Sequence, residues 1–173
     1  LNIITKEGQR LTRLVNDVLD LNKIEDGRME WHDQDIPLET LIPMAVNAVS
    51  GMFAAKLKVR LVLELGKDLP VVRMDPDKFM QVFSNLLNNA CKFTEQGEVV
   101  ISVDHEPGGP VRIKVRDTGK GMAPEELGKI FDKFYQASQG DTLMNKPRGS
   151  GLGLVICKGI VEHYNGEIEV EST

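Results

Sequence analysis

Long hydrophobic runs are missing from this sequence: no stretch of its 173 residues approaches the roughly 18 uninterrupted apolar residues of a membrane-spanning helix, and no signal peptide opens it. Aromatic residues make up only 5%, whereas 41% of the residues are hydrophobic and 27% are charged, as in soluble globular proteins. A basic surplus is also missing, since the net charge is −5. The chain therefore lacks the broad positive field that nucleic acids require, and we expect no nucleic-acid partner.

Cysteine is scarce as well. Cys91 and Cys157 lie far apart in apolar helical patterns, which predicts two reduced thiols in a core and neither a disulfide nor a metal site. A cytoplasmic location is the expectation that follows. Because the chain begins at Leu1 without an initiator Met and stops at Thr173 after a strand-like run, we expect an excised piece of a longer protein. A membrane anchor of the parent protein would then lie upstream.

The first 26 residues carry apolar side chains at a three-four spacing, which predicts a helix with one apolar face. We expect this face to pack on another chain or on a helix absent from this sequence; the alternative is that it folds back onto its own domain. Asp26-Gly27 can end the helix, so we predict two parts, residues 1–27 and 28–173. The residues of the face are Ile4, Leu11, Leu14, Val18 and Leu21.

The rest of the chain alternates between helical and strand-like patterns. The polar stretch Gln136–Arg148 has no periodicity and predicts a mobile loop. The predicted elements are a helix from Pro37 to about Ala55, strands Val59–Leu65 and Val71–Arg73, a helix Asp77–Lys92, a hairpin of Glu98–Val103 and Val111–Arg116, a short helix around Pro124–Phe131, a helix Leu152–Tyr164 and a strand Glu167–Glu171.

Two asparagines stand out in the helix predicted after Asp75-Pro76-Asp77. Asn85 and Asn89 are four residues apart and therefore share a face, and Lys92 lies one turn further on. An unsatisfied buried amide costs about 1–3 kcal/mol, so the pair indicates a ligand, a metal or a dedicated hydrogen-bond network. The alternative is that both amides cap a neighbouring loop.

The segment Asp117-Thr118-Gly119-Lys120-Gly121-Met122 directly follows a predicted strand. An Asp at this place can accept a hydrogen bond from an exocyclic amine, while glycine lets a flat ring such as adenine approach the backbone. The same pattern also occurs in ordinary turns.

The segment Gly149-Ser150-Gly151-Leu152-Gly153-Leu154 opens a helix. Glycines at a helix start leave N–H groups and the positive end of the helix dipole accessible to phosphates. The alternative is a flexible hinge. Phosphate motifs of other folds, GxxxxGK[ST] and the HRD and DFG set, are absent from the sequence.

Together and in this order, these segments resemble the catalytic ATP-binding domain of sensor histidine kinases. The opening RLTRLVNDVLDLNKIEDGRM resembles the second helix of that family's dimerisation hairpin, and VEHYNGEIEVEST resembles its closing helix and strand, so the resemblance covers essentially the whole chain. The four family motifs are NLLNNACKFT (Asn85–Thr94), DTGKGM (Asp117–Met122), the aromatic box FDKFYQ (Phe131–Gln136) and GSGLGL (Gly149–Leu154).

The resemblance implies an α/β fold: a two-layer α+β sandwich in which a mixed β-sheet is backed by helices, with ATP under a mobile lid, preceded by one long helix. This is the GHKL or Bergerat-type ATPase fold. It implies ATP and Mg2+ as cofactors, and catalytic roles for Asn85, Asn89 and Lys92, with Asn89 as the Mg2+ ligand. Asp117 would bind the adenine amino group. The other implied ATP-binding residues are Phe93, Gly119, Gly121, Met122, Phe131, Phe134, Tyr135, Arg148, Gly149, Ser150, Gly151, Leu152, Gly153 and Leu154.

Two departures from the family pattern bear on mechanism. Gln136 stands where many members carry an Arg after the aromatic box, so Arg148 or Lys146 would have to neutralise phosphate charge, unless both are merely solvated loop charges. No phosphoacceptor is evident either. His32 follows the end of the first helix, and the other two histidines, His105 and His163, lie in a hairpin turn and at the end of a late helix.

The predicted function is therefore transfer of the ATP γ-phosphoryl group to a histidine on a helix absent from this sequence, for relay to an aspartate of a response regulator. Expected partners are ATP or ADP, the phosphoacceptor helix of the same kinase dimer and a receiver domain, and the parent protein is expected to be a homodimer. One alternative is a GHKL-type ATPase, disfavoured because Asn85 stands where those enzymes carry a Glu base. The other is a nucleotide-sensing or interaction module without turnover.

Overall fold

A computed structural model of the chain describes residues 2–106, 108–136 and 149–173, with only the backbone at residues 2, 3 and 6. The chain forms two compact units: Trp31–Gly121, and Leu1–Glu30 together with Met122–Thr173. In chain order the elements are α1 (Asn2–Glu25), β1 (Gln34–Pro37), α2 (Leu38–Ala54), β2 (Val59–Glu64), β3 (Val71–Met74), α3 (Pro76–Phe93), β4 (Gly97–His105), β5 (Val111–Asp117), α4 (Pro124–Leu127) and α5 (Gly153–His163).

The unit Trp31–Gly121 contains a mixed three-stranded sheet in the order β2-β4-β5. Strand β2 runs parallel to β4, with Val59 opposite Gly97, and β4 runs antiparallel to β5, with Val99 opposite Asp117. The predicted mixed sheet and hairpin are thus confirmed. A second, two-stranded sheet pairs β1 with β3. Strand β1 was not predicted, because its four residues QDIP carry no alternating apolar pattern.

Helices α2 and α3 back this sheet and supply most of its core. Leu41 and Ile42 of α2, Leu87 of α3 and Ile101 of β4 are almost completely buried. Each such side chain stabilises the fold by about 1.5–3 kcal/mol relative to exposure. On α3 the rings of Phe79 and Phe83, one turn apart, stack with centroids 4.4 Å apart.

Helix α3 begins at the predicted Asp75-Pro76-Asp77 signal. The Asp75 carboxylate accepts hydrogen bonds from the backbone N–H groups of Asp77 (2.9 Å), Lys78 (3.3 Å) and His32 (2.9 Å). Burial raises the pKa of Asp75, but these three backbone donors, with the charge of Lys78, outweigh it and hold the pKa below its ordinary value of 3.8. One buried carboxylate therefore caps the helix and ties the segment after α1 to it.

The carboxyl end of helix α3 is capped by a lysine from the α2–β2 connection. The Lys56 ammonium donates hydrogen bonds to the backbone carbonyls of Cys91 and, at 2.8 Å, Thr94. A cation here satisfies carbonyls that have no partner within the helix and complements the negative end of the helix dipole. The Thr94 hydroxyl is fully buried and makes no hydrogen bond among the described residues.

Replacing Thr94 by valine is expected to raise the free energy of unfolding by about 1 kcal/mol, because valine keeps the shape of the side chain and removes an unsatisfied buried hydroxyl. Urea unfolding at neutral pH measures the change. The control is Thr94→Ser, which keeps the hydroxyl and loses a methyl group, and should destabilise. A destabilised valine variant would show that the hydroxyl has a solvent or ligand partner.

The predicted burial of the two cysteines in a core is confirmed: Cys91 and Cys157 are both buried, and neither is in a disulfide. Burial raises the pKa of the Cys91 thiol, against the opposing charge of Lys56. The thiol therefore stays protonated and acts as a small apolar side chain.

Of the helices within residues 2–106, 108–136 and 149–173, none has the length and apolar character that crossing a membrane requires.

In the other unit, the carboxyl-terminal half of α1 packs against α5. Leu21 is buried, and a Cβ at Gly159 of α5 would lie 2.8 Å from the Ile24 side chain, so glycine permits the close approach. The amino-terminal half stays exposed, with Ile4 at 76% and Leu11 at 61%. The predicted apolar face is thus divided: its end folds back onto its own chain, which was the alternative, and its beginning remains accessible.

Two predicted elements of this unit differ from the structure. The helix expected around Pro124–Phe131 ends at Leu127, because tight turns closed by Lys129 N–H to Glu126 O and Asp132 N–H to Lys129 O replace it. Residues Glu167–Glu171 form no strand within the described part of the chain. Alternate side chains there are half-buried as predicted, but side-chain alternation reports a buried face and does not guarantee a backbone partner. The predicted loop after Gln136 lies outside the described residues.

Candidate functional site

One face of α3 carries the predicted phosphate-side residues. Asn85, Asn89 and Lys92 follow one another at four and three residues, so they line the same flank of the helix. All three are half-buried beside the core positions Leu87 and Cys91. The helix thus places two amide groups and one ammonium group along one face, as the sequence spacing predicted.

The Asn89 amide is suited to a hard cation. No hydrogen bond to it is found within the described residues, and its carbonyl oxygen is the ligand type that Mg2+ takes. Nowhere in that part of the chain do three or more His, Cys, Asp or Glu side chains cluster as an all-protein metal cage. The residues therefore fit a Mg2+ ion that is bound by few protein ligands and completed by phosphates and water, which is the usual arrangement for this ion.

Lys92 lies beside the ring of the next residue. Its ammonium nitrogen is 4.8 Å from the centroid of Phe93, and the ammonium of Lys120 is 5.6 Å from the same centroid. Burial, and then the positive charge of Lys120, lower the pKa of Lys92. Two like charges this close together, with Lys92 half-buried and Lys120 exposed, form an arrangement that an anion would stabilise.

The loop after β5 is folded around its aspartate. Gly119 N–H donates to the Asp117 Oδ1 atom at 2.8 Å. A Cβ at Gly119 would lie 2.5 Å from that oxygen and 2.8 Å from the Phe93 carbonyl oxygen, so only glycine fits. Gly121 has a φ of +68°. The other carboxylate oxygen of Asp117 accepts no hydrogen bond from the described residues and can receive an amine.

The other unit holds the aromatic box and the second glycine box, whose backbones cross. Phe134, with φ at +63° and its side chain 60% exposed, donates its N–H to the Gly151 carbonyl at 3.0 Å. A Cβ at Gly151 would lie 2.7 Å from the Phe134 carbonyl carbon. The Gln136 amide donates to the Gly149 carbonyl at 2.9 Å. The two boxes thus form one substructure.

The glycine box is also attached to α1. The Ser150 hydroxyl accepts a hydrogen bond from Leu152 N–H at 3.2 Å and donates one to Asp17 at 2.7 Å. Leu152 is buried just before α5 begins at Gly153, while Leu154 is half-buried. The Asp17 contact was not predicted, because nothing in a regular α1 pattern distinguishes one polar residue from another.

The predicted site residues divide between the units. Lys120 was not among the predicted site residues, although a single lysine between two glycines of the Asp117–Met122 segment could have indicated it. Arg148, like Lys146, lies outside the described residues. The unit Trp31–Gly121 holds Asn85, Asn89, Lys92, Phe93, Asp117, Gly119 and Gly121, and the other holds Met122, Phe131, Phe134, Tyr135, Gly149, Ser150, Gly151, Leu152, Gly153 and Leu154.

Comparison with known proteins gives consistent results. Residues 74–173, more than half of the chain, match the family described as histidine kinase-, DNA gyrase B-, and HSP90-like ATPase. The sensor histidine kinase GacS of Pseudomonas protegens is 34% identical over 178 residues, covering 100% of this chain and 19% of GacS. The sensor protein EvgS of Escherichia coli K12 is 34% identical over 172 residues, covering 95% of this chain and 14% of EvgS.

Among solved structures, full-length ShkA in complex with AMPPNP matches with a TM-score of 0.80 and 28% identity, over 99% of this chain and 36% of that one. These likenesses confirm the predicted fold and the predicted resemblance. The chain spans less than a fifth of the length of GacS or EvgS.

Proposed function

The chain belongs to the histidine kinase-, DNA gyrase B-, and HSP90-like ATPase family, as an ATP-binding catalytic domain of the sensor histidine kinase type, and we propose that it transfers the γ-phosphoryl group of ATP to a histidine. The acceptor histidine lies on a helix outside this sequence, and the phosphoryl group is then relayed to an aspartate of a response regulator. Arg148 and the other predicted ATP-binding residues remain part of this proposal.

The observation that carries the proposal is the contact between the Asp117 loop and the end of α3. Gly119 sits so close to the Phe93 carbonyl that a side chain there would overlap it. The residue expected to recognise adenine and the helix expected to hold phosphates are therefore neighbours within one unit. Only a ligand with a base at one end and anionic groups at the other uses both.

Each residue then has a definite task. The free oxygen of Asp117 accepts a hydrogen bond from the adenine amino group, and Gly119 lets the ring approach the backbone. Lys92 contacts phosphate oxygens, and the Asn89 carbonyl oxygen holds Mg2+, with Asn85 beside it. Bound Mg2+ would neutralise phosphate charge, and phosphoryl transfer depends mainly on such neutralisation and on in-line positioning.

Hydrolysis is the second candidate function, and Asn85 argues against it. An amide cannot take a proton from water, so the chain offers no general base at this place on α3. The further candidate, an interaction module without turnover, would have no need for an amide and a cation in line on α3. Transfer to a histidine needs no strong base here and fits the residues better.

The partners and the location follow from the same proposal. We propose that residues 1–27 form the second helix of a dimerisation hairpin, that residues 28–173 form the catalytic domain, and that the parent protein is a homodimer. The exposed Ile4 and Leu11 of α1 support a helix partner. A receiver domain as acceptor and a cytoplasmic location, consistent with two buried cysteines that are in no disulfide, belong to the proposal as well.

Calorimetric titration with ATP and ADP, with and without Mg2+, tests the site. Replacing Asn89 by alanine is expected to weaken Mg2+-dependent ATP binding at least tenfold, because the amide ligand is lost, and to change metal-free binding much less. The matched control is Asn88→Ala, one residue earlier on the exposed side of α3, which should bind as the unmodified chain does.

The outcomes separate the candidates. Metal-dependent binding that is lost only in Asn89→Ala supports the kinase site and justifies adding the acceptor helix and looking for acid-labile phosphohistidine. Absence of binding at millimolar nucleotide would overturn the proposal and favour the interaction module. Steady release of phosphate without an acceptor helix would favour the ATPase.

A further inference from the structure

We propose that Lys120, together with Lys92, forms a two-lysine clamp on the polyphosphate of the nucleotide. This inference rests on the proposed function, since it concerns the same ligand. It adds a phosphate-binding residue from the loop after β5, which is otherwise expected only to accommodate the base.

The geometry places both ammonium groups around one ring. Lys92 and Lys120 lie 4.8 and 5.6 Å from the centroid of Phe93, so the separation between them is bounded on the scale of a short polyphosphate. The backbone just before Lys120 is held in place, because Gly119 lies between the Asp117 carboxylate and the Phe93 carbonyl. The loop therefore delivers the second cation to the end of α3.

Neither cation is neutralised by the protein. Within the described residues no carboxylate pairs with Lys92 or Lys120, whereas Lys114, Lys133 and Lys158 each have an acidic partner. A contact of a cation with an aromatic face is worth only about 0.5–1 kcal/mol at an exposed site. The Phe93 ring thus positions the two charges without satisfying them, and an anion is the missing partner.

The anion is identified by its surroundings. Lys92 lies in line with the Asn89 amide on α3, and Lys120 follows Asp117 by three residues in the predicted adenine loop. A group that meets both lysines lies between the expected base and the expected metal, which is the place of a nucleotide's phosphates.

The test is a series of titrations with adenosine, AMP, ADP and ATP, in the presence of Mg2+ and at two salt concentrations. Lys120→Gln is expected to leave adenosine affinity within twofold of the unmodified chain and to weaken ATP binding about three- to tenfold, with a smaller dependence on salt. Lys120→Arg should restore most of the loss. The matched control is Lys67→Gln, the same change of charge at an exposed turn of the same unit, with thermal melting to verify folding.

The results distinguish this inference from the function on which it rests. If the unmodified chain binds no nucleotide, the proposed function fails. If the unmodified chain binds ATP, two results would overturn only the clamp. One is an unchanged ATP affinity in Lys120→Gln, and the other is a loss of adenosine affinity as large as the loss of ATP affinity. The first nucleotide of the series that shows the loss identifies the phosphate contacted.

Discussion

Replacement of Asp75 by alanine is expected to lower the free energy of unfolding by about 2–4 kcal/mol. The carboxylate is buried and accepts three backbone hydrogen bonds, two from the first turn of α3 and one from His32. Alanine leaves all three donors without this partner and removes the cap of the helix that carries the candidate site. Denaturant unfolding at pH 7, followed by circular dichroism, measures the loss.

The control is Asp77→Ala in the same helical turn. Asp77 is exposed, so its loss removes only a favourable interaction with the helix dipole, about 0.3–1 kcal/mol. Equal destabilisation by the two variants would contradict the role assigned to Asp75.

The stabilisation by Asp75 should also depend on pH. Because the folded state holds the pKa of Asp75 below its ordinary value of 3.8, the folded state favours the ionised form. The contribution is therefore fully present above the unfolded pKa and is lost as the pH falls through the lower folded pKa. Comparing unfolding of the unmodified chain and Asp75→Asn from pH 7 to pH 2 should show a difference that shrinks only below about pH 4.

Replacement of Gly151 by alanine is the second change with a large expected effect. Gly151 has a φ of +74°, which alone costs an alanine about 1–2 kcal/mol, and the new Cβ would lie 2.7–2.8 Å from backbone atoms of Phe134. The backbone crossing between the aromatic box and the second glycine box cannot form unchanged. We expect a total loss of about 2–4 kcal/mol in unfolding free energy, or local opening of the crossing, detected as faster protease cleavage near Phe134.

Gly149→Ala is the matched control, because no atom of the described residues lies within 4 Å of a Cβ built there. This variant should melt within experimental error of the unmodified chain. If Gly151→Ala also melts normally and resists protease equally well, the crossing is not a rigid feature of the fold.

Local patterns in the sequence were sufficient to predict most helices and the hairpin. The acidic cap Asp75 and the Asp26-Gly27 end of α1 are chemical signals that act within a few residues, and the structure places helix ends at both. The predicted terminal strand Glu167–Glu171 was wrong, because strand formation is not decided locally. Whether an alternating segment joins a sheet depends on a distant backbone partner, which no local pattern specifies.

The candidate site shows the same division. Spacing alone placed Asn85, Asn89 and Lys92 on one flank of a helix. The positions of Lys120 beside Phe93 and of Asp17 on Ser150 depend on how the chain returns to itself, so they could not be read from spacing. The motifs therefore predicted which residue types occur at the site, but the distances between these residues depend on the fold.

The parallel pairing of β2 with β4 has a consequence for the rate of folding. The hairpin of β4 and β5 is local and can form within microseconds, whereas β2 can pair with β4 only after the chain between them, which contains all of β3 and α3, has been brought back. The two ends of α3, held by Asp75 and Lys56, lie inside that connection. A change that weakens either end of α3 is therefore expected to slow folding as well as to lower stability, because β4 can pair with β2 only once the connection that contains this helix is in place.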